Sequence, residues 1–281
     1  MKIYFACGGT EQVGFIKDNF QKANLLISAY HWNTVKDKAY HLVNNTSSSK
    51  VIIDSGAFSV WKSNKKTSLN NYLEFIGKVN EIFKGNAIYV NLDVIPGVFG
   101  RKPSKKETEE ACEKGYENYL KLKKHKLNIM PVHHQYDDIK WLHKYAKHKP
   151  YVLAISPAND RTTKGRIPYL DECFRTVKNT VRCHGLAVTG DALMKRYPWF
   201  SVDSASWTSA TGLGVIYKYE KGKVVSYHQR TKKRLKIEDV GGMDTNKPNY
   251  KKRRIGSINA FLSAEKDITE IWKRRGVTWN E

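Results

Sequence analysis

Residues 51–61 read VIIDSGAFSVW, three β-branched apolar residues that run into Asp54 and Ser55 and then turn at Gly56. A strand that is apolar at consecutive positions is covered on both faces, as in parallel sheets. Its acid then falls at the C-terminal end of the strand, where parallel α/β folds place their chemistry.

The same kind of run recurs on either side. NLLISAY (24–30), NAIYVNLD (86–93), LNIMPVHH (127–134), PYVLAIS (150–156), HGLAVTG (184–190), WFSVDSAS (199–206) and GLGVIYKY (212–219) join KVIIDSG (50–56) to make eight predicted strands. Helical stretches lie between several of them, at 68–84, 105–125 and 169–184. The first carries Leu73, Ile76, Val79, Ile82 and Phe83 on one face, the stripe of a helix packed on a sheet. Strand–helix–strand repetition implies parallel strands with right-handed crossovers. The predicted fold is therefore α/β, a compact (β/α)8 TIM barrel over 1–219, with an open doubly wound sheet as the alternative. Beyond 219 short β-like pieces, a Gly-Gly pair and dense positive charge predict a basic appendage, 220–281, ending in a helix over 257–276.

Composition narrows the partners. The chain has 281 residues, 40% of them hydrophobic, enough for a real core. No run of eighteen apolar residues exists, and the apolar part of MKIYFACGGTEQVG is too short for a signal peptide, so the expectation is a cytoplasmic protein without a membrane partner. Cys7, Cys112, Cys173 and Cys183 stand singly, which argues against a disulfide framework and a thiolate zinc site. The formal net charge of +22 exceeds what solubility requires and favours a polyanion, nucleic acid above all. Lys232, Lys233 and Arg234 in RTKKRLK (230–236), and Lys251, Lys252, Arg253 and Arg254 in NYKKRRIGS (249–257), are the candidate contacts.

Several predicted strands end alike: Asp54, Asp93, His133 and His134, Ser156 and Asn159, Thr189 and Gly190, and Asp203. In a barrel these share one mouth. Singly, an Asp in such a place also serves as a helix cap, and a lone His as a hydrogen-bonded structural residue. Jointly they point to chemistry, because Asp is seldom buried without a partner. Two chemistries suit them: metal-assisted hydrolysis on Asp and His ligands, and glycosyl transfer, in which one carboxylate attacks the anomeric carbon and another handles protons.

DSGAFS (54–59) resembles the Asp-Ser-Gly-Gly-Phe-Gln motif of the tRNA-guanine transglycosylases, with Ala57 for the second glycine and Ser59 for the glutamine. NLDVIPG (91–97) is similar to that family's base-recognising strand end, HGLAVTG to its Gly-Leu-Ala-Val-Gly loop, and FSVDSASW (200–207) lies where it carries its nucleophile. All four occur in the family's order. The family's Cys-x-Cys-x-x-Cys zinc motif has no match after Asp203, and the chain is shorter. The resemblance is thus to the compact paralogues of phages and DNA-modification clusters, which insert 7-deazaguanines into DNA, in the host cytoplasm where phage-encoded.

The resemblance implies Asp203 as the nucleophile, Asp54 as general acid and base, and Phe58 stacked on the base. It further implies Asp93 at the Watson–Crick edge, with His133, or Gln135 in its place, and the Gly190 backbone completing recognition. It implies no cofactor, neither metal nor ATP, a 7-deazaguanine such as 7-cyano-7-deazaguanine as co-substrate, and DNA as polymer, with tRNA as the alternative; a homodimer stays open. Independently of the family, a purine needs an aromatic wall and acceptors for its donor edge, and Phe58 and Asp93 are of those types.

Overall fold

The structure is a computed structural model and describes residues 1–33, 36, 50–63, 67–98, 101–158, 161–228 and 248–279. Nine strands among them form one parallel sheet: β1 (Lys2–Cys7), β2 (Asn24–Ser28), β3 (Val51–Asp54), β4 (Ala87–Val90), β5 (Ile129–Met130), β6 (Val132–His134), β7 (Leu153–Ser156), β8 (Cys183–Gly185) and β9 (Ser201–Ser204). Their order is β5-β4-β3-β2-β1-β9-β8-β7-β6. The two ends of that row are separated in the chain by Pro131 alone. The Met130 carbonyl accepts from Asn91 N at 2.8 Å on one side, and the Pro131 carbonyl from Ala154 N at 2.8 Å on the other. β5 and β6 therefore act as one stave broken by a proline that has no N–H to give, and the sheet curls into a (β/α)8 barrel.

The count of eight staves agrees with the expectation, but the membership differs. Lys2–Cys7, which the sequence reading left out, is a central stave paired with both β2 and β9. GLGVIYKY instead supplies β10 (Val215–Glu220), which forms an antiparallel hairpin with β11 (Lys223–His228) outside the barrel. Tyr and Val at period two suit either setting, so the pattern alone did not separate them.

Helices cover the ring: α1 (Thr10–Asn19), α2 (Ala57–Lys62), α3 (Leu69–Phe83), α4 (Lys105–Lys123), α5 (Ile139–Lys147), α6 (Thr163–Val177), α7 (Asp191–Arg196), α8 (Ser206–Gly212) and α9 (Pro248–Arg274). Local sequence sets their starts. Ser68 caps α3, Ser104 and Glu107 form a reciprocal capping box on α4, and Thr162 caps α6. α6 begins six residues before the expected Tyr169 and runs through Pro168. Pro248, at the first position of α9, fits the slot where a missing N–H costs nothing.

Strand alternation divides the core in two. Ile3, Phe5, Val51 and Ile53 face the helices. Tyr4, Leu26, Ile52, Ile88, Met130, Val132, Ala154 and Phe200 fill the barrel, with Trp279 packed against them. With Ile52 inward, period two turns Asp54 inward as well, which is why a covered strand runs into an acid. The C-terminal helix shares the main core: Ile258, Phe261, Ala264 and Ile268 of α9 lie in the cluster that holds Ile3 and Phe5, and Ile3 N donates to Glu265 Oε2 at 2.6 Å. A boundary at 219 would cut β10, and α9 covers β1 as a barrel helix does. No described helix is long and apolar enough to cross a membrane.

Gly185 shows how tightly β8 is packed. A Cβ there would meet Val188 Cβ at 2.9 Å and Trp199 Cζ3 at 3.1 Å. Gly185→Ala is therefore expected to cost about 1–3 kcal/mol, measured as a lower denaturation midpoint at unchanged slope. An unaltered midpoint would mean that Val188 yields freely.

Candidate active site at the barrel mouth

Asp54 ends β3 and is followed by Gly56 at φ +75°, which reverses the chain into α2. The glycine is required twice over: by that left-handed conformation, and because a Cβ would lie 3.2 Å from both Ser28 Oγ and Tyr30 N. The turn aims Gly56 N at Asp54 Oδ2, 3.1 Å away. Burial pushes the Asp54 carboxyl up to about 6, the charges of Asp93 and Asp203 push the same way, and the Gly56 N–H and Ser28 hydroxyl only partly oppose them.

Asp203 faces inward from β9 and is 6% exposed. Its Oδ1 receives His184 Nε2 at 3.1 Å and Ala187 N at 3.1 Å. Ala187 reaches that position at φ +54°, a left-handed conformation costly for a residue with a Cβ. Oδ2 has no hydrogen-bond partner among the described residues. His184 is fully buried, with Nδ1 2.8 Å from Ser201 Oγ.

Asp93, just beyond β4, takes Ser55 Oγ at 3.2 Å on Oδ1 and His134 Nε2 at 3.0 Å on Oδ2. Burial pulls the His134 imidazole down, but its hydrogen bond to Asp93 and the charges of Asp93 and Asp137 outweigh this and raise it.

Here the expected set needs correction. β6 alternates, so of two adjacent histidines only one reaches the mouth, and it is His134. His133 turns outward against Tyr169 of α6, 1% exposed, with ring centroids 5.7 Å apart. Burial pushes it down to about 4, so it is a neutral core residue and not a base contact. The Gln135 amide is engaged at both ends, accepting from Ala158 N at 2.8 Å and donating to the Gly165 carbonyl at 3.2 Å, and so fixes the loop leading to α6. Gly190 is exposed at the start of α7, where its carbonyl accepts from Leu193 N and Met194 N, and a Cβ there would meet nothing. Phe58 stands at the rim on α2, 58% exposed, its ring 6.0 Å from that of Trp61. Beside them a cleft of about 580 Å³ opens, lined by Ala57, Trp61, Leu92, Asp93, Asn118 and Lys121.

The predicted nucleic-acid contacts divide as well. Lys232, Lys233 and Arg234 lie outside the described residues, as does Asn159. Lys251 and Lys252 are exposed, but Arg253 and Arg254 are 1% and 3% exposed. Arg254 donates to the Tyr250 hydroxyl at 2.6 Å and Thr208 at 3.1 Å, pairs with Glu11 and lies over Tyr250 with 4.4 Å to its centroid. Two of the four cations are thus buried against the protein, because a helix turn of 3.6 residues puts Lys251 and Lys252 on the outer side of α9 and Arg253 and Arg254 on the inner one. A second charged surface lies at the mouth itself. Lys102, Lys105, Lys106, Tyr136 and Arg161 line a groove of about 950 Å³ beside the ends of β4, β6 and β7, with Glu109, Asp137 and Asp138 in the same wall, and Arg161 Nε donates to the Tyr136 hydroxyl at 3.0 Å.

Comparison with known proteins adds little. No family model matches the chain. No curated protein matches it in sequence. Among solved structures, KGPDC from Streptococcus mutans overlays at TM-score 0.44 with 9% identity, covering 96% of this chain and 98% of that one. Tryptophan synthase from M. tuberculosis overlays at 0.42 with 9% identity, covering 75% and 85%. Dihydrodipicolinate synthase from Oceanobacillus iheyensis overlays at 0.39 with 11% identity, covering 73% and 67%. Overlaps this loose say nothing about chemistry, and the barrel stands on its own strand order.

The sequence gives Ser201 and His184 no role, and His134 only a place at the mouth and in the hydrolase alternative. Ser201 and Asp203, two apart on one strand, share a face by period two, so that juxtaposition was there to be read. His184 pairing with both depends on the β8–β9 register, His184 opposite Ser201, which no local pattern carries. The hydrolase alternative needs three or more ligands on one ion, and among the described residues no such group of His, Cys, Asp and Glu converges.

Proposed function

We propose that this chain is a base-exchanging transglycosylase that replaces guanine in DNA with a 7-deazaguanine. The observation that carries the reading is the pair of inward aspartates in unlike surroundings, one buried and pushed up to about 6, the other anchored through a single oxygen. Two carboxylates with divided roles are what displacement at an anomeric carbon requires.

In the proposed cycle Asp203 Oδ2 attacks C1′ and the C1′–N9 bond breaks, its electron pair leaving with guanine. Asp54, about a tenth protonated at pH 7 for a group near 6, gives its proton to that base. The incoming base returns a proton to Asp54 as its N9 bonds C1′ and expels Asp203. Two inversions give retention, and protons and charge balance without metal, ATP or redox partner. Phe58 and Trp61 offer aromatic faces at the rim. Asp93 keeps one acceptor position on each oxygen after Ser55 and His134 are counted, and His134 takes the place expected of His133.

The polymer needs cations near the mouth, because a flipped base cannot reach far from its backbone. The groove that holds Lys102, Lys105, Lys106 and Arg161, four cations against Glu109, Asp137 and Asp138, lies beside the mouth and offers Tyr136 as a stacking face. Replacing those four by Gln is expected to reduce the slope of log K against log salt by about 3 to 4, read from DNA binding at several salt concentrations. An unchanged slope moves the polymer to Lys251 and Lys252.

The deciding experiment incubates the protein with DNA or tRNA and labelled guanine or 7-deazaguanine, without metal or ATP. Label in DNA is the expected result. Label in tRNA alone keeps the chemistry and changes the polymer, and label in neither overturns the reading.

A further inference from the structure

We propose that Ser201 and His184 form a positioning pair that holds the Asp203 carboxylate with only Oδ1 engaged, leaving Oδ2 for attack; this rests on Asp203 being the nucleophile.

The argument begins with the register. His184 of β8 lies opposite Ser201 of β9, and Asp203 follows Ser201 on the same inward face. The imidazole spans both, Nδ1 to Ser201 Oγ at 2.8 Å and Nε2 to Asp203 Oδ1 at 3.1 Å. Tyr4, itself opposite Asp203, meets the ring edge-on with centroids 5.9 Å apart. Position and plane of the imidazole are thereby fixed.

A carboxylate only accepts, so the nitrogen that faces it carries the hydrogen. The neutral ring then has a lone pair at Nδ1, and Ser201 supplies the O–H that satisfies it. Neither ring nitrogen is spent on a backbone carbonyl, although the ring is fully buried. A histidine that only filled space would not need two side-chain partners on the strand that carries the nucleophile.

The consequence is geometric. The groups around Asp203 are Asp54, Tyr4, His184 and the Ala187 N–H. Anchoring Oδ1 fixes the plane of the carboxylate, and a misplacement near 1 Å costs roughly 100-fold in rate.

The test is nitrogen-15 NMR of histidine-labelled protein, with His184 assigned through His184→Gln, in the wild type and Ser201→Ala. The spectra are expected to show His184 as the Nε2–H tautomer in the wild type and as a mixture in Ser201→Ala. An Nδ1–H tautomer in the wild type, or a tautomer unmoved by Ser201→Ala, overturns the pairing. These readouts need no turnover, so they stand apart from the fate of the transglycosylase reading. Where exchange is measurable, His184→Leu is expected to lower kcat roughly 100-fold with KM near the wild-type value, and His184→Gln, whose amide still offers an N–H, by less, whereas a merely structural role lowers the amount of folded protein and leaves kcat per folded molecule in place. Should His184→Leu fail to fold, His184→Gln and Ser201→Ala carry the test.

Discussion

Asp203→Asn is expected to abolish base exchange, with a fall of at least about 10³-fold, while DNA binding stays close to that of the wild type. An amide oxygen lacks the charge that makes a carboxylate a nucleophile toward C1′. The same oxygen still accepts from His184 and Ala187, which now hold Asp203 Oδ1 at 3.1 Å each, so the barrel mouth keeps its shape. The measurement is a denaturing gel of enzyme incubated with DNA in the absence of acceptor base. The wild type gives a slowly migrating covalent species, and the variant gives none. A variant that exchanges base at the wild-type rate would remove Asp203 from the chemistry and with it the double displacement.

The positions of Asp54, Asp93 and Asp203 were legible because each follows an apolar run, and a parallel sheet puts such ends on one side. What the sequence hid is which way neighbours face once a strand is bent or broken. Pro131 splits the fifth stave, and from the residues alone His133 and His134 are equivalent; only the inward setting of Val132 assigns the mouth to His134. KIYFAC does not stand out as a stave, with no strand before it to set a rhythm. VIYKYE reads as one because a hairpin packed on a helix shows the same alternation as a half-covered stave. Arg253 and Arg254 read as surface charge, since composition counts cations without seeing that α9 buries both and turns Arg254 toward Glu11, Thr208 and Tyr250. In each case the missing information is a long-range contact.

Asp54→Asn is expected to make the protein more stable and inactive at once. The carboxyl moves from its ordinary 3.8 to about 6 because ionising it beside Asp93 and Asp203 in a buried setting is unfavourable. A folded-state value above the unfolded one means that stability is complete below about pH 4 and is lost as pH rises through about 6. An asparagine has no charge to bury, and its oxygen still accepts from Gly56 N. The variant should therefore match the wild type near pH 4 and exceed it at pH 8 by on the order of 2 kcal/mol, allowing for the partial exposure of the site. Urea denaturation at pH 4, 6 and 8 reads this directly. A difference that is the same at every pH would mean that Asp54 is not held protonated by its surroundings. Exchange, which needs Asp54 to give and then retrieve a proton, is expected to fall about 10²- to 10⁴-fold. That combination separates a functional acid from a structural cap: asparagine caps about as well as aspartate, so a mere cap would leave variant and wild type level at every pH, whereas a carboxyl kept for proton transfer strains the fold, and the strain is the property the reaction uses.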